Sequence, residues 1–145
     1  MTDASHYRGR DITFATMHGK ELLARDSFER LLGATVTAPP RLNTDQFGTF
    51  ASDIPRALDP RDTARAKARL GMQIAGSSLG LSSEGTFTAG FGPLAENSEL
   101  LLFLDDDLGL ELIEGVVGVS ALPPSRRIHR SRDALAFASA VGFSH

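Results

Sequence analysis

Apolar and polar positions along the chain follow two periods, one of two residues and one close to four. Asp11–Thr16 (D-I-T-F-A-T) is short and rich in β-forming residues, which predicts a first strand. From Lys20 to Leu32 the apolar residues at 24, 28, 31 and 32 keep to one helix face, and Gly33 supplies the stop. Ala34–Ala38 predicts a second short strand, closed by Pro39-Pro40. Arg41–Leu58 has no period and reads as a loop, with an extended segment near Phe47–Phe50. Asp59-Pro60-Arg61-Asp62 then opens a helix with an acidic cap, a proline at the first helical position and a second acid in the first turn. Its inner face, Ala64, Ala68, Gly71, Met72 and Ala75, is made mostly of small residues, so the helix is expected to lie close on a sheet.

Beyond Gly76 the period shortens. Ser77–Ser83 runs into Glu84-Gly85-Thr86-Phe87, and Glu99–Leu104 reads as a buried strand bounded by Asp105–Asp107. Leu108–Val119 predicts one or two further strands, with Gly115 and Gly118 allowing a bend or bulge. Ser131 is expected to cap a last helix that stops at Gly142. Strands and helices alternate first and strands cluster later, which argues an α/β fold: a single domain over 1–145, with a mixed sheet flanked by helices.

Composition narrows the function classes without choosing one. The 145 residues are 41% hydrophobic and 23% charged, the balance of a soluble globular chain rather than a disordered one. There is no cysteine, which excludes disulfides, thiolate metal sites and a cysteine nucleophile. The longest run of large apolar residues is Leu100–Leu104, too short to span a membrane, and the polar start lacks a signal-peptide core, so a cytoplasmic protein is expected. Residues 70–125 carry eight acids and no Lys or Arg, between two basic flanks. That pattern speaks against nucleic acid across the middle; it suits a divalent cation, pairing with the flanks, or a solvated acidic rim. Thirteen of the fifteen cationic residues are Arg, so Lys20 and Lys67 stand out as compact ammonium groups.

Four segments could carry chemistry. His18-Gly19-Lys20-Glu21 lies where a strand hands over to a helix, the place where backbone N–H groups and a lysine attract phosphate, although the glycine spacing of a P-loop is missing. Asn43 to Phe50 combines Thr44, Asp45 and Thr49 with Phe47 and Phe50, either of which could stack on a flat ligand or plug a core. Glu84, between Ser83 and Gly85 where an apolar strand is expected to end, could hold Mg²⁺ or act as a base on water, or simply sit in a hairpin or cap a loop. Asp105-Asp106-Asp107 point alternately, so at most two can serve one metal, and a solvated turn is the simpler reading. The four histidines show no metal-ligand spacing, and Ser82 and Ser83 lack a nucleophile-elbow pattern.

At these segments the chain resembles an uncharacterised bacterial family whose members carry, in order, H-G-K-E, T-D-x-x-G-T-F, E-T-A-R-x-K-A and A-S-E-G-S-F motifs. The counterparts here are His18–Glu21, Thr44–Phe50, Asp62–Arg69 and Leu79–Phe87. Asp53 stands where a Glu is usual, and Thr88–Pro93 replaces a G-P-H-P-like segment. The resemblance brings no activity, and it implies a chain truncated at its C-terminal end, since members continue past V-G-F-x-H (Val141–His145). A fainter similarity links Ala15, Thr16 and Lys20, then Thr63, Lys67 and Ala68, then Glu84 to nucleoside-triphosphate pyrophosphatases of the inosine-triphosphatase type. Here the first spacing is one residue short, the second motif lacks its Asn, and a single Glu replaces a paired Asp-Asp.

The resulting expectation is an enzyme or binder of a nucleotide or other phosphate-bearing small molecule. Glu84 and Asp45 would be the catalytic pair that holds Mg²⁺. His18, Lys20, Lys67 and Thr49 would line the ligand, with Phe47 or Phe50 over a base. The alternative is a non-catalytic ligand- or partner-binding module at the front of a longer protein. A homo-oligomer fits either reading.

Overall fold

A computed structural model describes residues 4–17, 19–40, 42–43, 59–89, 94–121 and 125–142. After a short 3₁₀ turn (Ala4–His6) come β1 (Asp11–Phe14), α1 (Glu21–Leu32), β2 (Thr35–Thr37), α2 (Pro60–Ala75), β3 (Leu79–Ala89), β4 (Leu94–Asp105), β5 (Leu110–Ala121) and α3 (Ser131–Ala140). The strands form one sheet in the order β2-β1-β3-β4-β5. β1 is parallel to both neighbours, with Ile12 opposite Val36 and Phe14 opposite Leu81. The turn from β4 to β5, residues 106–109, is too short for a parallel crossover, so these paired strands are antiparallel. The fold is α/β on a mixed sheet flanked by helices. No helix among the described residues is long and apolar enough to cross a membrane.

The chain divides into two compact units, Met1–Thr86 with Ser98–Val117, and Phe87–Asn97 with Gly118–His145. In the first, strand alternation sends side chains into two separate cores. Ile12, Phe14, Val36, Leu79, Leu81 and Phe103 pack with Ala24, Phe28 and Leu32 of α1. On the other face Leu102 and Leu104 pack against Ala64, Ala68 and Met72 of α2. The small face of α2 lies on the sheet as its composition implies at Ala64, Ala68, Gly71 and Met72, whereas Ala75, in the last turn, is exposed. A Cβ placed on Gly71 would stand 3.1 Å from the Ala15 side chain, so helix and sheet are nearly in backbone contact there. Ser82 Oγ donates to the Ala64 carbonyl at 2.6 Å, satisfying a hydroxyl that is otherwise sealed in this layer.

α2 starts as its sequence directs. The Asp59 carboxylate accepts the backbone N–H groups of Arg61 and Asp62, Pro60 follows, and Gly76 closes the helix in the left-handed region at φ 64°.

Two expectations shift, on β3 and α3, and the choice of one or two strands after Leu108 is resolved. β3 continues to Ala89, so Glu84 lies within a strand rather than in a loop after one. β5 is a single strand: Gly115 and Gly118 keep to negative φ, and the reversal falls on Gly109 at φ 62°. In the second unit, Ser131 is the first residue of α3 rather than its cap, because the Arg130 carbonyl already accepts the N–H groups of Asp133 and Ala134. α3 buries none of its residues.

Two outcomes follow from this packing. Leu102→Ala, which empties a fully buried position, should lower the unfolding free energy by about 3 kcal/mol in denaturant titrations. Asp59→Ala should lower the denaturation midpoint at neutral pH. The N–H groups of Asp62 and then Arg61 hold the Asp59 carboxyl below its ordinary range. Its contribution is therefore complete above the unfolded value of about 3.9 and fades as pH falls through the lower folded value. The gap between wild type and Asp59→Ala should accordingly close on acidification.

Candidate functional site

Of the expected site residues, Lys20, Lys67 and Glu84 are described; they lie toward the C-terminal ends of the parallel strands, Lys20 on the α1 face of β3 and Lys67 with Glu84 on the α2 face. β1 ends at Phe14, and the Ala15 N–H still bonds the Leu81 carbonyl at 2.8 Å. β3 runs on beyond that point, carrying Ser82, Ser83 and Glu84 past the end of β1. Because side chains alternate along a strand, Ser83 faces the α1 layer while Ser82 and Glu84 face α2.

On the α1 face, Gly19 turns the chain at φ 73° and Lys20 takes the N-cap position of α1. Lys20 Nζ donates to Ser83 Oγ at 3.0 Å and to Glu99 Oε1 at 2.8 Å. These groups edge a cavity of about 500 Å³ whose other walls are Phe14, Leu23, Ala24 and Leu101. Among the described residues no side chain caps the N-terminus of α1, in contrast to α2, where Asp59 accepts two N–H groups; the Leu22 and Leu23 N–H groups donate instead to the Gly19 and Lys20 carbonyls, both at 3.1 Å. Glu21, in the same first turn, has an enclosed Oε2 without a hydrogen-bond partner among the described residues.

On the α2 face, Lys67 Nζ donates to Glu84 Oε1. Glu84 is only 3% exposed and the Lys67 side chain only 12%, so this ion pair is largely withdrawn from water. Glu84 makes further contacts besides. Both lysines singled out by composition thus lie beside carboxylates at one end of the sheet, but on opposite faces of β3. His18, Asp45, Phe47, Thr49 and Phe50 lie outside the described residues.

The three aspartates lie at the other end. Asp105 is buried and accepts the N–H groups of Asp107 and Leu108 at 2.9 and 3.1 Å, which shapes the β4–β5 turn. Its second oxygen lies 3.1 Å from His6 Nε2, and Tyr7 also bonds it. Burial first, and then this bond, raise the Tyr7 hydroxyl above its ordinary pKa. His6, Asp105 and Asp107 have ligand atoms within 4.8 Å of one another, yet the cation among them is Arg10. Its guanidinium donates to His6 at 2.8 Å, to Ser78 at 2.8 Å and to Asp107. Asp106 is bonded by Arg69 instead. The acidic triplet is thus divided among a turn and two arginines, an arrangement that ties down the start of the chain.

Comparison of the chain with protein-family models and with curated proteins finds no match.

Sequence reasoning passed over Glu99 and Ser83 as partners of Lys20, and His6 and Arg10 as partners of the aspartates. For Ser83 a signal existed: if the strand continues past Leu81, its period of two assigns Ser83 and Glu84 to different faces. The partners of Glu99 and His6 depend on strand order, which leaves no local trace.

The Lys67–Glu84 pair generates a stability test. Lys67→Met should cost about 3 kcal/mol by leaving a carboxylate buried without its ammonium. The double variant Lys67→Met/Glu84→Gln should regain most of that loss in the same denaturant titration.

Proposed function

We propose that the C-terminal edge of β1 and β3 binds a phosphate-bearing small molecule, of which a nucleotide is one class. The observation that carries this reading is Lys20 at the start of α1, held over Ser83 beside a cavity of about 500 Å³. An ammonium and a hydroxyl are donors that phosphate oxygens take, and strand C-terminal ends are where open α/β sheets bind ligands. The cavity's apolar walls suit the uncharged part of such a molecule.

Carboxylates set a condition on it. Glu99 accepts from Lys20, and Glu21 holds an enclosed oxygen in the first turn of α1, so a bare phosphate meets negative charge. Binding together with Mg²⁺ removes that conflict, since the acids take the metal while the lysine takes the phosphate. In a hydrolytic form of the reading, Glu84 and Asp45 are the metal ligands, and bound Mg²⁺ supplies charge neutralisation and water activation. Glu84 fits that part only by exchanging the Lys67 ammonium for the metal. The binding reading asks only the exposed Lys20–Glu99 pair to change partners and leaves the enclosed one intact, and we favour it over catalysis for that reason.

A panel of nucleotides and inorganic phosphates, with and without Mg²⁺, tests both parts by calorimetry and by release of phosphate or pyrophosphate. Lys20→Ala should weaken binding about tenfold or more in a chain that stays folded. Turnover that Glu84→Gln abolishes while binding persists would establish the hydrolase. Absence of any Mg²⁺-supported binding across the panel would overturn the proposal.

A further inference from the structure

β5 occupies the edge of the sheet but has the make-up of an interior strand. Edge strands are usually short or interrupted by charge, proline or a bulge. The opposite edge obeys this, since β2 has three residues, Thr35–Thr37. β5 has twelve, without Lys, Arg or Pro, and Gly115–Ala121 carries no charge. Its apolar side chains project on both faces, and its second half carries none of the charge that usually guards an edge against another strand. Val116 is 67% exposed on one face; Val117 and Val119 are 65% and 66% exposed on the other.

We propose that this edge pairs with β5 of a second copy of the chain, antiparallel about a two-fold axis near Val117, so that two five-stranded sheets join into one. The chemistry of the edge asks for a strand, because its outward N–H and C=O groups require partners in register. Charge selects a copy of the same chain. The acids of β5, Glu111 and Glu114, are confined to its first half, and its second half, Gly115–Ala121, is uncharged. Antiparallel self-pairing sets each acidic half toward the neighbour's uncharged half, and places Glu114 across from Ser120 rather than from another acid. A parallel arrangement would stack acid on acid.

The absence of native cysteine makes the test direct. Val117→Cys should form a disulfide-linked dimer under mild oxidation, because residues beside a two-fold axis in an antiparallel pair come within bridging distance. Leu31→Cys, exposed on α1, should not. In sedimentation the wild type should dimerise, and Val117→Lys should weaken that equilibrium about tenfold or more, with circular dichroism reporting that the fold is kept. If the lysine variant fails to fold, the cysteine pair decides. A wild type that stays monomeric at all concentrations, a dimer indifferent to Val117→Lys in a folded chain, or equal cross-linking of the two cysteine variants would overturn the proposal.

Discussion

The two-residue repeat of β3, clamped between layers that each accept only certain side chains, is the constraint on which the rest depends. Leu79 and Leu81 are committed to the α1 core, so Gly80 and Ser82 must face α2. The helix above can lie close only because Gly80 offers no side chain beneath Met72 and Gly71 offers none above Ala15. Carried two residues further, the same repeat gives Ser83 to one lysine and Glu84 to another. Packing in the middle of the strand therefore dictates the chemistry at its end.

That arrangement gives the two ion pairs different characters. Lys20 and Glu99 are well exposed, and a pair of this kind contributes little to stability, so its partners can exchange for a ligand at small cost. Lys67 and Glu84 are enclosed, and their mutual attraction offsets a large desolvation penalty. The exposed pair is suited to answering a solute, while the enclosed pair is suited to fixing the register of α2 on the sheet. This contrast favours the α1 face as the side where a ligand arrives.

Much of the fold was legible from local pattern. The start of α2 at Asp59-Pro60 and the glycine stops at 33 and 76 are written in single residues whose backbone preferences leave few alternatives. The length of β3 was not legible, because Ser82, Ser83 and Glu84 look like turn residues until one knows that Ala64 accepts the first and lysines bond the other two. The prominence of Lys20, Lys67 and Glu84 was visible in composition and motif, but their division between two faces was not. Nor was Arg10 visible as the cation for Asp107, since the two are 97 residues apart and meet only through the strand order.

The close approach of α2 to the sheet reaches beyond packing. Lys67 sits on the helix beside Ala68 and one turn before Gly71, so its ammonium stands off from β3 by whatever height those small side chains set. A few atoms of interior bulk thus act as a spacer under a charged group at the molecular margin. Drift in residue size at 68 or 71 would retune the electrostatic character of that margin without altering any ionisable residue.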